Sequence, residues 1–99
     1  MPAYIIYQCE VTDPARYDEY RAKVNEHPPA EGRFLVRGGP VESLEGEAPP
    51  GRTVVIEFPS KEAALAWYHG PAYAEARAIR ATAAVARMYL IDGVEAVPS

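Results

Sequence analysis

The chain has 99 residues, a formal charge of −4 and 48% apolar residues, and seven of its residues are tyrosine. That length and composition suit one globular domain and exclude a disordered chain. The acidic balance and the scatter of Arg and Lys argue against nucleic acid or an anionic membrane surface as a partner, and no apolar run approaches the roughly 20 residues of a membrane-spanning helix.

The start, Met-Pro-Ala-Tyr-Ile-Ile-Tyr, lacks the charged and long apolar regions of a signal peptide. A single cysteine, Cys9, rules out an intrachain disulfide, so a reduced, cytoplasmic setting is expected. Ala3–Thr12, rich in Ile, Tyr and Val, reads as the first strand. Asp13-Pro14 reads as a helix start, with a capping carboxylate followed by a proline at the first helical position. Tyr17, Tyr20, Val24 and His27 then recur at helical spacing as one buried stripe, and Pro28-Pro29 ends the helix.

Arg33–Arg37 reads as a second strand, with Phe34 and Val36 on one face and Leu35 on the other. Gly38-Gly39-Pro40 interrupts it, suggesting a bulge, with Val41–Leu44 as a continuation. Glu45–Gly51 reads as a loop and Arg52–Phe58 as the third strand. Ser60 caps a second helix through Tyr68, and Gly70-Pro71 breaks it. A helical stretch resumes over Ala72–Ala84, Arg87–Ile91 is the last strand, Asp92-Gly93 a turn, and Glu95–Ser99 a loose tail. One domain over residues 1–94 is expected.

The order β-α-β-β-α-β with right-handed crossovers predicts an α+β, ferredoxin-like sandwich: one four-stranded antiparallel sheet, order 4-1-3-2, with helices on one face. Strands one and three are then central, and both are apolar on two sides. On strand one, Ala3, Ile5, Tyr7, Cys9 and Val11 oppose Tyr4, Ile6, Gln8 and Glu10; on strand three, Val54, Ile56 and Phe58 oppose Thr53, Val55 and Glu57. Assigning the greasier set to the helices leaves Tyr4, Ile6, Leu35 and Val55 on the opposite face, a patch large for a monomer. A homodimer through the sheet face is the expectation.

Several segments together resemble one family. They are Tyr4-Ile5-Ile6, Val11-Thr12-Asp13-Pro14, Tyr17-Asp18-Glu19-Tyr20, Arg33-Phe34-Leu35-Val36-Arg37-Gly38-Gly39, Leu44-Glu45-Gly46, Glu57-Phe58-Pro59-Ser60, Trp67-Tyr68, Tyr73 and Asp92-Gly93-Val94. In order and spacing they resemble the bacterial family known as domain of unknown function 1330. That resemblance implies a dimeric α/β barrel, in which two ferredoxin-like subunits pair their sheets with helices outside. The wider superfamily includes cofactor-free monooxygenases, muconolactone-type isomerases and dye-decolourising peroxidases. The chain departs from the family's usual pattern at His27-Pro28-Pro29-Ala30-Glu31 and at His69-Gly70-Pro71, both at helix ends.

Arg37 and Glu57 fall on the same sheet face by simple alternation. They read either as an anchor for a substrate carboxylate beside a general acid or base, or as a structural ion pair at the dimer interface. Gly38 stands beside Arg37. Trp67, Tyr68 and Tyr73 cluster around the break at Gly70 and read as walls of an aromatic ligand pocket or as core. His69, at a helix end among them, reads as a general base or as a partly exposed histidine favourably placed at a helix C-terminus. Cys9 reads as a small buried hydrophobe.

No His-x-x-x-His or Cys-x-x-Cys occurs, and Gly38-Gly39 lacks the Lys-Ser/Thr of a phosphate loop, so neither metal nor cofactor is expected. The expected function is binding of a small aromatic or carboxylate metabolite with cofactor-free oxygenation or isomerisation. The alternatives are a non-catalytic ligand-binding or stress-related module, or a scaffold dimer without a ligand.

Overall fold

The computed structural model describes residues 1–94, and the tail at 95–99 lies outside the described residues. The elements run β1 (Ala3–Val11), α1 (Pro14–Glu26), β2 (Arg33–Arg37), β3 (Arg52–Phe58), α2 (Lys61–His69), α3 (Pro71–Arg80) and β4 (Ala84–Asp92). They form one antiparallel sheet of order β2-β3-β1-β4, the predicted ferredoxin-like arrangement read from its other edge.

Local signals place the helix starts. The Asp13 carboxylate accepts a hydrogen bond from the Arg16 backbone N–H at 3.2 Å, and Ser60 Oγ accepts one from Ala63 at 3.1 Å. At Gly70 the chain is extended, and Pro71 opens α3 where its missing N–H costs nothing. The expected break at Gly70-Pro71 thus divides the second helical stretch into α2 and α3.

Alternation on the central strands holds from Ala3 to Cys9 and along β3, and fails only at the end of β1, where Val11 is exposed. Ala3, Ile5, Tyr7, Cys9, Val54, Ile56 and Phe58 are buried under the helices with Tyr17, Tyr20, Val24, Ala64, Tyr73 and Ala76. Their neighbours Tyr4, Ile6, Gln8, Thr53, Val55 and Glu57 are only half-buried. This second face carries no helix. It continues onto the edge strands through Leu35, Val36, Val85 (68% exposed), Tyr89 (46%) and Ile91 (51%).

Four local expectations are corrected. The bulge lies inside β2, between Phe34 and Val36, rather than at the glycine pair. No strand forms over Val41–Leu44. The third helix stops at Arg80, and β4 begins at Ala84, three residues before the predicted Arg87. Here the long antiparallel register with β1, running from Val11↔Ala84 to Ala3↔Asp92, outweighs the helical preference of the alanines. His27 is exposed as the C-cap of α1 instead of joining the buried stripe.

Candidate functional site

The bulge in β2 decides which side chains meet. Without it, Arg37 would share the open face with Glu57. The extra residue instead pairs Val36 with Val55 and Arg37 with Val54, moving Arg37 to the helix-covered face. There its guanidinium lies 4.2 Å from the Phe34 ring centroid and donates to Asn25 Oδ1 of α1 at 2.7 Å. Glu57 remains on the open face, accepting from Arg33 at 2.8 Å and from the Tyr4 hydroxyl at 3.2 Å. The expected Arg37–Glu57 pair is thus replaced by Arg33–Glu57.

Arg37 sits at the mouth of a recess between α1 and the sheet. Its aromatic wall is Tyr7, Tyr17, Tyr20, Phe34 and Trp67; its cations are Arg21, Arg37 and Arg52. No carboxylate and no imidazole lines it among the described residues. The recess is narrow, a cavity of about 30 Å³. That is room for one or two waters, so a ring-sized guest must swing aside a half-buried wall such as Phe34 or Trp67.

Arg52 opens β3 on the same parity as Val54, Ile56 and Phe58, which carries a cation onto the core face of a central strand. Its guanidinium lies 5.7 Å from the Tyr17 ring centroid, and its Nε is buried with no hydrogen-bond partner among the described residues. Gly38 makes room for it: at φ 77° a Cβ there would stand 2.8 Å from Arg52 Nη2. Gly38 thus serves twice, by adopting a left-handed φ and by leaving the Arg52 guanidinium its present place.

Behind the aromatic wall the hydroxyls form two groups. Tyr7 and Tyr17 share a hydrogen bond at 3.3 Å, with Cys9 Sγ 3.5 Å from the Tyr17 oxygen. Tyr20 and Tyr73 share one at 2.9 Å, and Arg80 Nη1 donates to Tyr73 at 3.0 Å. Burial, aided by the Cys9 contact and opposed by the Tyr7 hydrogen bond, pushes the Tyr17 phenol up to about 12. Burial likewise drives Tyr7 and Tyr20 far above the ordinary phenol value, and raises Tyr73. At neutral pH these groups are protonated, and none can act as a base.

The predicted site residues therefore separate into distinct places. Arg37 and Trp67 line the recess, with Gly38 just behind it. Tyr73 is buried under that wall, its ring centroid 4.3 Å from that of Trp67. Tyr68 and His69 line another hollow, between α2 and β4, with their rings perpendicular and 5.1 Å apart. Glu57 is on the far side of the sheet. Sequence reasoning missed Arg52, Tyr7, Tyr17 and Tyr20 as recess residues. The parity of Arg52 was a usable signal, and so was the need of four buried tyrosines for hydroxyl partners. Among the described residues no cluster of three or more His, Cys, Asp or Glu is placed to hold a metal ion.

The fold is shared with solved structures. A protein of Rhodopseudomonas palustris, RPA0582, solved in methylated form, superposes with a TM-score of 0.69 at 19% identity, covering 96% of this chain and 82% of its own. HapK from Hahella chejuensis superposes with a TM-score of 0.60 at 20% identity, covering 98% of this chain and 97% of its own. SnoaB, a cofactor-independent oxygenase from Streptomyces nogalater, superposes with a TM-score of 0.56 at 10% identity, covering 99% and 98%. At these identities the likeness is one of fold. No curated protein matches the chain. The family described as domain of unknown function (DUF1330) matches residues 2–94, nearly the whole sequence, and the chain belongs to it.

Proposed function

We propose that this protein takes up an electron-rich hydroxyaromatic molecule in the recess under α1 and promotes its oxygenation without a cofactor. The observation that carries this reading is a recess walled by aromatic rings in which, among the described residues, every charged group is a guanidinium. A cation beside a phenol or enol favours its ionised form. The anion is itself the reductant. A ring carbon of the phenolate bonds one atom of O₂, protonation gives a hydroperoxide, and loss of water across that C–O–O–H unit leaves a quinone. Four electrons pass from the substrate to O₂, one oxygen atom enters the product and the other leaves as water. The phenol proton goes to solvent at the mouth. The printed description of SnoaB as a cofactor-independent oxygenase supports the reaction class.

Oxygen uptake by purified protein, with hydroxyaromatics and no added metal or cofactor, tests the proposal. Labelled O₂ is expected to place one labelled atom in each quinone formed. Binding without oxygen uptake would leave a ligand-binding module. One observation favours that second reading: among the described residues no carboxylate or imidazole lines the recess to accept a proton, since His69 and Glu57 lie elsewhere. The same lack disfavours isomerisation, which needs a base at the substrate carbon.

The functional unit we propose is a homodimer through the helix-free sheet face. Its support is the continuous apolar surface of Tyr4, Ile6, Val36, Val55, Tyr89 and Ile91. Sedimentation at about 10 µM, well above the dissociation constant usual for homodimers, is expected to show a dimer. The double variant Tyr89→Lys/Ile91→Lys is expected to sediment as a folded monomer, because two like charges on each copy would be buried against each other. A monomeric wild type overturns this part of the proposal.

A further inference from the structure

We infer that the guest of the recess is an aromatic acid, and that Arg52 is the residue that holds its carboxylate. This rests on the recess being the ligand site, and it deepens that reading by naming the acidic group and its anchor. The three recess arginines are not equivalent. Arg21 is exposed, so water solvates its charge. Arg37 is engaged by Asn25 and by the Phe34 ring. Arg52 makes no ion pair among the described residues, and its Nε–H is buried without an acceptor.

Arg52 is half-buried as a whole, but its buried Nε–H is left unpaired in the empty protein. A buried donor left unpaired loses its hydration and gains nothing in return. The ring of Tyr17 offsets part of the charge but accepts no fork of hydrogen bonds. A carboxylate fits both needs, since it presents two coplanar oxygens to the Nε and Nη donors and neutralises the charge. A neutral hydroxyl satisfies one donor and leaves the charge. The chain makes room for this cation twice over: Gly38 leaves no Cβ to displace it, and the parity of β3 faces it inward. Among the described residues no acid lines the recess to compete for it.

The experiment compares 3-hydroxybenzoate with 3-hydroxybenzamide, which share ring, hydroxyl and size and differ in charge. Trp67, the single tryptophan, lines the recess, so its indole N–H is a site-specific reporter in nitrogen-correlated NMR, alongside the Nε–H of Arg52. The benzoate is expected to bind about 10-fold or more tightly than the amide, as charge-assisted bidentate pairing implies, and to move the Arg52 Nε–H resonance in the wild type. Arg52→Gln is expected to abolish the preference. Gly38→Ala, which keeps every charge but crowds the guanidinium, is expected to weaken it. Equal binding of both probes, with Trp67 responding to each, overturns the assignment of Arg52 while leaving the recess a ligand site. A preference that survives Arg52→Gln, or an unmoved Nε–H, overturns it likewise. If neither probe perturbs Trp67, the recess reading fails and this inference with it.

Discussion

Raising the pH from 10 to 12 is expected to unfold this chain cooperatively, with the buried tyrosines ionising only as the fold is lost. An unfolded tyrosine releases its proton near pH 10. The folded chain holds the Tyr17 proton up to about 12, and those of Tyr7 and Tyr20 higher still, chiefly because burial penalises the phenolate. A folded value raised above the unfolded one contributes stability that is complete below pH 10. That stability falls as the pH climbs toward the folded value, because the unfolded state gains by ionising while the native state cannot.

For Tyr17, a rise from about 10 to about 12 corresponds to a few kcal/mol. Tyr7 and Tyr20 are raised in the same direction and lose stability over the same window, and because Tyr7 and Tyr17 share a hydrogen bond their losses do not simply add; the group as a whole gives up on the order of several kcal/mol by pH 12. That rivals the roughly 5–15 kcal/mol holding a typical domain. Circular dichroism followed against pH, together with tyrosinate absorbance at 295 nm, checks it. Seven tyrosines titrating independently near pH 10 in a chain that stays folded would contradict this account of the core.

The second large effect is at Gly51. Its φ is 75°, and a Cβ built there would stand 1.8 Å from the Cys9 carbonyl oxygen and 2.9 Å from the Glu10 Cα. Both obstacles are backbone of the central strand β1, one step from the Cys9↔Arg52 register pair. They cannot swing aside as a side chain does. Gly51→Ala must therefore part β1 from β3 at this end, in addition to the left-handed conformational penalty of about 1 kcal/mol. A loss of about 3 kcal/mol or more is expected. The control is Gly46→Ala in the same loop, where φ is 69° but nothing stands within 4 Å of the added carbon. That change should cost only the conformational part. Chemical denaturation of the two variants separates clash from strain, and equal losses would show that the close approach to Cys9 is relieved cheaply.

Much of the architecture was readable along the chain because its signals are local or strictly periodic. Asp13-Pro14 and Ser60 cap the helices they were expected to cap, since capping involves only groups within one turn. The faces of β1 and β3 follow from alternation, which depends on nothing but the pleat. The strand order follows from the sequence of elements and the hand of crossovers.

The site was less legible. Trp67 lines the recess and Tyr73 packs beneath it, but Glu57 and His69 occupy two other places. One inserted residue in β2 accounts for the main error. The sequence suggested a bulge at the glycine pair, whereas the irregularity falls at Phe34/Val36 and exchanges the faces of the residues beyond it. A bulge position depends on how two strands seat against a shared core. It leaves no local mark in Phe-Leu-Val-Arg.

The chain's own letters decide its secondary elements, their order, the greasy side of each central strand and the absence of a disulfide partner for Cys9. These rest on spacing and on the chemistry of single residues. Only the folded molecule decides that Arg37 leaves Glu57 for Asn25, that Arg52 stands beside Tyr17 with no ion pair among the described residues, and that Gly38 packs against Arg52. Those outcomes depend on three-dimensional register between segments far apart in the chain, where a shift of one residue reverses the direction of a side chain.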